Sequence, residues 1–153
     1  MVTLARSIQG DRPNQETPAT ETFQQTVGGI SEVTGVGFVT GADVTVRFKP
    51  APPDYGIAFV RTDLAGEPVI PATIANDISE RRRRSALKSQ GATVEMVEHV
   101  LAALAGLGID NCLVEIDGPE APGMDGSAAP FVQAIDQAGI KRQGTRRRPH
   151  VMR

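Results

Sequence analysis

The stretch VEMVEHVLAALAGLGIDN, residues 94–111, decides the fold because its apolar spacing predicts a helix packed on a sheet. At about 100° per residue, one stripe of this helix consists of Val97, Val100, Leu101 and Leu104. The opposite side has no charged outer face and consists of Met96, His99, Ala102 and Ala103, with Glu98 on its flank. A helix without a charged outer face is normally covered on both sides. We therefore expect a part outside these 153 residues to pack there.

Strand patterns precede and follow this helix. Residues 24–51 hold two β-rich segments, the second of which alternates apolar and polar side chains from Val44 to Phe48. Residues 57–63 and residues 112–116 are predicted to be two more strands, the latter buried.

A second helix is predicted within residues 127–140, with Ser127 as its N-cap and Gly139 as its C-terminal stop. The apolar residues that repeat along one side of it are Phe131, Ile135 and Ala138. The order strands, helix, strand, helix predicts an α+β fold. We expect a two-layer sandwich in which two helices pack on one face of a largely antiparallel sheet.

The composition favours a soluble cytoplasmic protein. The chain has the size of one ordinary domain, and its 40% hydrophobic share suffices for an aliphatic core. The net charge of -2 gives no reason to expect nucleic acid or an anionic membrane as a partner. A single cysteine, Cys112, excludes an internal disulfide and fits a reducing compartment. No apolar run approaches the roughly 18 residues of a transmembrane segment, and the N-terminus lacks the apolar centre of a secretory signal.

Three regions are expected along the chain. Residues 1–22 are polar and aperiodic, which predicts a disordered leader, and residues 23–140 form the folded domain. Residues 141–153 are strongly basic and are interpreted as a tail, the start of an inter-domain linker or a further strand, with a phosphate-binding arm as the alternative. The arginines at 81–84 leave a similar choice between an anion site and a solvated face.

Glu98 and His99 are the candidate chemical groups of the first helix. Neighbouring helical side chains diverge by about 100°, so an imidazole can hold a metal while the adjacent carboxylate addresses a water. Catalytic zinc takes three protein ligands and an open water position, and a nearby Glu can act as general base. From the residues alone, a packed and hydrogen-bonded histidine is the commoner alternative. The chain's other histidine, His150, lies in the basic tail, so a complete zinc site is not expected within this chain.

Several phrases together resemble one protein family. In chain order, from about residue 24 to residue 140, they are VTGVGFVTG, VTVRFKPAPPDYGI, RTDL, VEHVLAALAGLGIDN and PEAPGMDGSAAPFVQAIDQAGI. They are similar to the first domain of the bacterial UDP-3-O-acyl-N-acetylglucosamine deacetylases. These are zinc hydrolases of lipid A biosynthesis that release acetate from a UDP-linked, acylated glucosamine.

The resemblance implies a role for each matched position. His99 would be a zinc ligand, and Glu98 would be the general base toward the water that zinc activates. Asp125, in MDGSA, matches an acid close to the family's active site. Its alternative role is to cap the helix at Ser127 and fix the loop. The cofactor would be Zn²⁺ and the substrate UDP-3-O-acyl-N-acetylglucosamine.

The family enzyme has two similar α+β domains that face each other. The resemblance therefore implies that the other zinc ligands, a His and an Asp in an H-K-x-x-D segment, belong to a missing second domain or a complementary chain. This chain alone would be incomplete and inactive. Within the matched part, Val39 stands where family members usually have His, and Met96 stands where they usually have Thr.

Two functions from other classes remain open. A non-catalytic scaffold or binding domain that kept the fold would be expected to have gained charged residues at Met96, Ala102 and Ala103, which it has not. An anion or nucleic-acid module would rest on the arginines at 81–84 and the basic tail, and would bind in a salt-sensitive way.

Overall fold

The structure of the protein is a computed structural model that describes residues 22–78 and 84–148. The predicted leader before Thr22, the arginines at 81–83 and His150 lie outside the described residues. In chain order, the elements are β1 (Phe23–Val27), β2 (Ser31–Val36), β3 (Asp43–Pro50), β4 (Ile57–Arg61), β5 (Val69–Pro71), a 3₁₀ turn (Ile74–Asn76), β6 (Ala86–Ser89), β7 (Ala92–Glu95), α1 (Glu98–Gly106), β8 (Cys112–Ile116), α2 (Ala129–Ala138) and β9 (Ile140–Arg146).

A five-stranded sheet in the order β2-β3-β8-β4-β5 forms the centre of the fold. Adjacent strands within this sheet are antiparallel, except that β4 and β8 run parallel to each other. Two smaller antiparallel ladders join β1 to β9 and β6 to β7. Two helices on largely antiparallel strands confirm the predicted α+β class. Neither described helix has the length and apolar character that crossing a membrane requires.

The inner face of the central sheet is the core of the protein. Alternate residues of a strand point to opposite faces, so Phe48 of β3 is directed inward and fully buried. Its ring meets that of Phe131 in α2 edge to face, with centroids 6.4 Å apart. Leu104 of α1 and Ile135 of α2 are buried in the same cluster. Both helices therefore cover one face of the sheet, as predicted.

The outer face of this sheet carries ion pairs. Arg47 lies 3.0 Å from Glu32 and 3.4 Å from Glu115, and Lys49 lies 2.7 Å from Glu115. The four side chains come from the neighbouring strands β2, β3 and β8. Exposed pairs of this kind contribute little stability, but they keep the outer face hydrated.

Helix α1 begins at Glu98, so the prediction of a helix through the whole stretch from residue 94 was wrong at its start. Val94 and Glu95 belong to β7. Met96 has a φ of 57°, a left-handed conformation that ends the strand and cannot continue into a right-handed helix.

The inward stripe of α1 is confirmed by three buried residues, Val97, Val100 and Leu104, and Leu101 packs against them as a partly buried side chain. Ala103 was placed wrongly on the uncovered side, since it is 1% exposed. At 100° per residue its direction is only about 60° from that of Val100, so the core includes it.

Helix α2 has Ala128 at its N-cap position, so the prediction of Ser127 as the N-cap was wrong. The Ser127 hydroxyl still accepts a hydrogen bond from the backbone N–H of Ala129, at 3.1 Å. The predicted stop is confirmed, because Gly139 ends the helix with a φ of 76° that side-chain-bearing residues rarely adopt.

Part of the basic segment after residue 140 is a strand. Ile140–Arg146 forms β9 and pairs with β1. The Arg142 guanidinium lies 3.8 Å from the centroid of the Phe23 ring, and Arg147 forms an ion pair with Asp110 at 2.9 Å. The domain boundary drawn before this segment stays a prediction.

Candidate active site

Glu98 and His99 are the first two residues of α1, and both are half-buried. The Oε2 atom of Glu98 is buried from solvent and has no hydrogen-bond partner among the described residues. Buried carboxylate oxygens are normally paired. This atom therefore marks a place where a water, a metal ion or a substrate atom would supply the missing partner.

Asp125 lies in the loop between β8 and α2. Its Oδ1 accepts hydrogen bonds from the Ser127 hydroxyl at 2.7 Å and from the Ser127 backbone N–H at 2.9 Å. These bonds lower the pKa of the exposed Asp125 carboxyl, and the charge of His99 adds a smaller lowering. Asp125 therefore lies near the helix start that carries His99, and it also makes the loop-fixing contact considered as its alternative role.

An exposed apolar surface borders this loop. Its members, here called the apolar rim, are Val36, Phe38, Val39 and Met124. The N–H of Gly123 donates to the carbonyl of Val36 at 2.9 Å, and a Cβ at Gly123 would touch the Phe38 ring at 3.4 Å. Phe38 is 79% exposed and Val39 is 50% exposed. Val39 thus lies at the surface beside the loop of Asp125.

Glu120 is a buried acid that the sequence patterns did not predict. It lies in the same loop as Asp125 and accepts hydrogen bonds from the backbone N–H groups of Val39 and Thr40. Its signal in the sequence is weak, because one charged residue in a loop rich in Pro and Gly is usually exposed. Burial of this kind depends on a distant partner that no local pattern reveals.

Few donor atoms for a metal ion lie together in the described part of the chain. Within residues 22–78 and 84–148, no three His, Cys, Asp or Glu side chains are grouped so as to hold a metal ion. The half-buried His99 and the buried oxygen of Glu98 fit one ligand and one base of a zinc site. Cys112 lies in the core strand β8, where burial raises the pKa of its thiol to about 12.

Comparisons with known proteins agree on one family. The family model described as LpxC, UDP-3-O-acyl N-acetylglycosamine deacetylase, matches residues 24–153. The UDP-3-O-acyl-N-acetylglucosamine deacetylase of Myxococcus xanthus is 51% identical over 120 residues, which cover 78% of this chain and 38% of that protein. The protein of the same name from Shewanella woodyi is 48% identical over 122 residues, which cover 79% of this chain and 40% of that protein.

The chain therefore spans about two fifths of the length of these relatives. The family match covers nearly all of the described residues, including the start of α1, the loop of Asp125 and the apolar rim. The chain belongs to the UDP-3-O-acyl-N-acetylglucosamine deacetylase family.

Proposed function

We propose that this chain is the first domain of a zinc-dependent cytoplasmic deacetylase of lipid A biosynthesis. The enzyme hydrolyses the acetamide of UDP-3-O-acyl-N-acetylglucosamine and releases acetate. The observation that carries the proposal is the buried Oε2 of Glu98, which has no hydrogen-bond partner in residues 22–78 and 84–148 and lies next to His99 at the start of α1. A general base needs a free lone pair to accept a proton, and this oxygen of Glu98 would supply one.

Each polar residue of the site has a separate task. Zinc, when bound, polarises the amide carbonyl and lowers the pKa of a water. His99 would hold the metal through one imidazole nitrogen, in the neutral form of the ring. Glu98 accepts the proton of the attacking water. Hydrogen bonds with Ser127 lower the pKa of Asp125 below its usual value, so Asp125 places a negative charge near His99.

A second domain completes the site. Residues 22–78 and 84–148 include one histidine, whereas catalytic zinc takes three protein ligands. Ala102 and Ala105 of α1 are exposed, and the apolar rim is uncovered. A domain that covers these surfaces and contributes the other ligands would account for both features. The relatives are long enough to contain it, because the chain matches only about two fifths of their length.

The alternatives receive less support. An independent scaffold would present polar side chains where α1 exposes alanines. For an anion or nucleic-acid module, the arginines in the described part should be available. Instead Arg84 pairs with Glu95 at 2.7 Å, and Arg142 and Arg147 make the contacts described for β9.

The test compares the chain alone with a fusion in which the remaining part of the Myxococcus xanthus relative follows it. We expect the chain alone neither to retain stoichiometric zinc nor to release acetate, and the fusion to do both. In the fusion, His99→Ala should abolish zinc retention. Glu98→Gln should keep the zinc and reduce turnover by a factor of about 10² to 10⁴, the usual contribution of a general base.

Glu32→Gln is the matched control, because it removes a carboxylate from the outer face and should change neither zinc content nor turnover. Metal content is measured by elemental analysis, and turnover by acetate release. Turnover by the chain alone, or full zinc retention in the His99→Ala fusion, would contradict the proposal.

A further inference from the structure

Glu120 is a carboxylate buried where three segments of the candidate active site meet. The residue is 1% exposed. Its Oε1 accepts hydrogen bonds from the N–H of Thr40 at 2.6 Å and from the N–H of Val39 at 3.1 Å. Its Oε2 accepts the same Val39 N–H at 3.0 Å. Both oxygens are therefore directed at the backbone of one turn, residues 37–42, which connects β2 to β3.

The turn of residues 37–42 is shaped to receive this carboxylate. A Cβ at Gly37 would lie 2.5 Å from Glu120 Oε1, so a side chain there would displace the carboxylate. The N–H of Gly37 donates to the carbonyl of Ala42 at 2.8 Å, and Gly37 also forms a backbone bridge with Pro122. The turn is thus joined at two neighbouring points to the loop that carries Asp125.

The backbone of Glu120 also adjoins the strand that leads into α1. Glu95, the last residue of β7, forms a bridge with Glu120. The Glu95 N–H donates to the carbonyl of Pro119 at 2.9 Å, and the Glu95 carbonyl accepts from the N–H of Ala121 at 3.0 Å. Since two residues separate Glu95 from Glu98, the loop is fixed close to the start of the catalytic helix.

The charge of Glu120 is compensated locally. Burial by itself raises the pKa of this carboxyl, but the hydrogen bonds from Thr40, then that from Val39, and finally the charge of Arg84 outweigh it. The pKa therefore lies below its usual value, and Glu120 is ionised at neutral pH. Ionised carboxylates make the stronger hydrogen bonds to backbone N–H groups, so the turn is held firmly.

We infer that Glu120 is a positioning residue, which holds the turn of residues 37–42 so that Phe38 and Val39 form a fixed apolar wall beside the catalytic helix. The inference rests on the proposed function, because the wall is assigned to the substrate of that site. Glu120 itself touches neither substrate nor zinc. It acts through the backbone N–H groups of Val39 and Thr40 and through the side chain of Thr40.

The first arm of the test uses the chain alone and follows amide hydrogen exchange by NMR. In Glu120→Gln, the Val39 and Thr40 amides should exchange about tenfold faster or more, the equivalent of one weakened charge-assisted hydrogen bond. The amide of Val114, in the central strand β8, should keep its rate. Glu115→Gln is the matched control, because it makes the same chemical change in an outer-face ion pair.

The second arm measures kinetics in the fusion used to test the proposed function. Glu120→Gln should raise KM about tenfold and change kcat and zinc content by less than about threefold, because a loosened wall weakens substrate binding and not the chemical step. Thr40→Ala is a milder variant, which removes the hydrogen bond between the Thr40 side chain and Glu120 but keeps the carboxylate and the backbone N–H groups. It should shift KM in the same direction by about threefold.

Unchanged exchange at Val39 and Thr40 in Glu120→Gln would overturn the inference. So would equal losses of kcat, zinc and core protection, which would show a purely structural role. If Glu120→Gln does not fold, an unchanged KM in Thr40→Ala overturns the inference instead. An inactive wild-type fusion would refute the deacetylase proposal and with it the role toward substrate, while the exchange arm would still decide whether Glu120 holds the turn.

Discussion

Replacing Gly37 by alanine should strain the contact between Glu120 and the turn of residues 37–42. A Cβ at this position would lie 2.5 Å from Glu120 Oε1, 2.9 Å from its Cδ and 2.6 Å from Thr40 Oγ1. Normal contacts begin near 3.5 Å, so the carboxylate must retreat by on the order of 1 Å. That movement lengthens the 2.6 Å hydrogen bond from the Thr40 N–H. Loss of one hydrogen bond to a charged group costs about 1.5–3 kcal/mol. We therefore expect Gly37→Ala to lower the free energy of unfolding by about 2 kcal/mol.

Urea unfolding measures this difference, and two glycines provide matched controls. In Gly35→Ala, in the preceding strand β2, the new Cβ would lie 2.5 Å from Met124 Sδ, which belongs to a flexible and partly exposed side chain that can turn away. It would also lie 3.1 Å from Pro122 Cβ, which has to move by only a few tenths of an ångström. This variant should lose less than about 1 kcal/mol. Gly144 of β9 has no atom within 4 Å of its Cβ position, so Gly144→Ala should stay within about 0.5 kcal/mol of wild type.

Equal stability of the Gly37→Ala and Gly144→Ala variants would refute the reasoning, because the carboxylate would then have room that the structure does not give it. An equally large loss in Gly35→Ala would also refute it. In that case any side chain at the end of β2 or the start of the following turn would be harmful, and the cost could not be assigned to Glu120.

Three further predictions concern the core, the cysteine and acid stability. Phe131→Ala should lower the free energy of unfolding by about 3–5 kcal/mol in urea, because its ring is fully buried; a loss below about 1 kcal/mol would contradict this packing. Cys112 should react with a thiol reagent at about pH 8 only after denaturation, because burial raises its pKa to about 12; prompt labelling of the native chain would be the opposite result. Stability should fall as the pH drops through the folded pKa values of Asp63 and Glu120. Hydrogen bonding to Arg61 lowers the pKa of Asp63. Burial raises the pKa of Glu120, but the hydrogen bonds from the side chain and backbone of Thr40 and from the backbone of Val39 outweigh it. The unfolded chain therefore binds more protons in acid. Thermal melting in acid measures this loss, which should shrink in Glu120→Gln.

The buried stripe of α1 could be predicted from the sequence, whereas the residue at which the helix begins could not. The stripe follows from the helical period, which Val97, Val100 and Leu104 display without help from other segments. The start depends on Met96, whose N–H donates to the carbonyl of Ser85 at 2.8 Å and whose backbone is left-handed. That conformation is imposed by the adjacent segment around Ser85, and a methionine in the sequence gives no local sign of it.

The strands also include some that the sequence predicts and some that it does not. The buried strand β8 was predicted with its observed bounds, because five consecutive residues, Cys112–Ile116, are mostly apolar. The strands β5, β6 and β7 were not predicted. They have only three or four residues each, too few to display a period, and they are stabilised by the partner strand.

Within the candidate site, Glu98 and His99 could be found because they are adjacent in the sequence. Glu120 could not, because its hydrogen bonds to Val39 and Thr40 join residues 81 and 80 positions apart. No local pattern contains information about a partner at that separation. Glu120, which binds the turn of residues 37–42, is therefore harder to predict from the sequence than Glu98 and His99.

The pairing of β1 with β9 also determines when the domain can be completed during synthesis. β1 is the first described strand, and its register places Phe23 opposite Arg146. A ribosome must therefore release more than a hundred further residues before β1 meets the strand that matches it. Pairings of such long separation form slowly. Until then the nascent chain exposes an unpaired edge, which makes this stage the one at which chaperones would protect it.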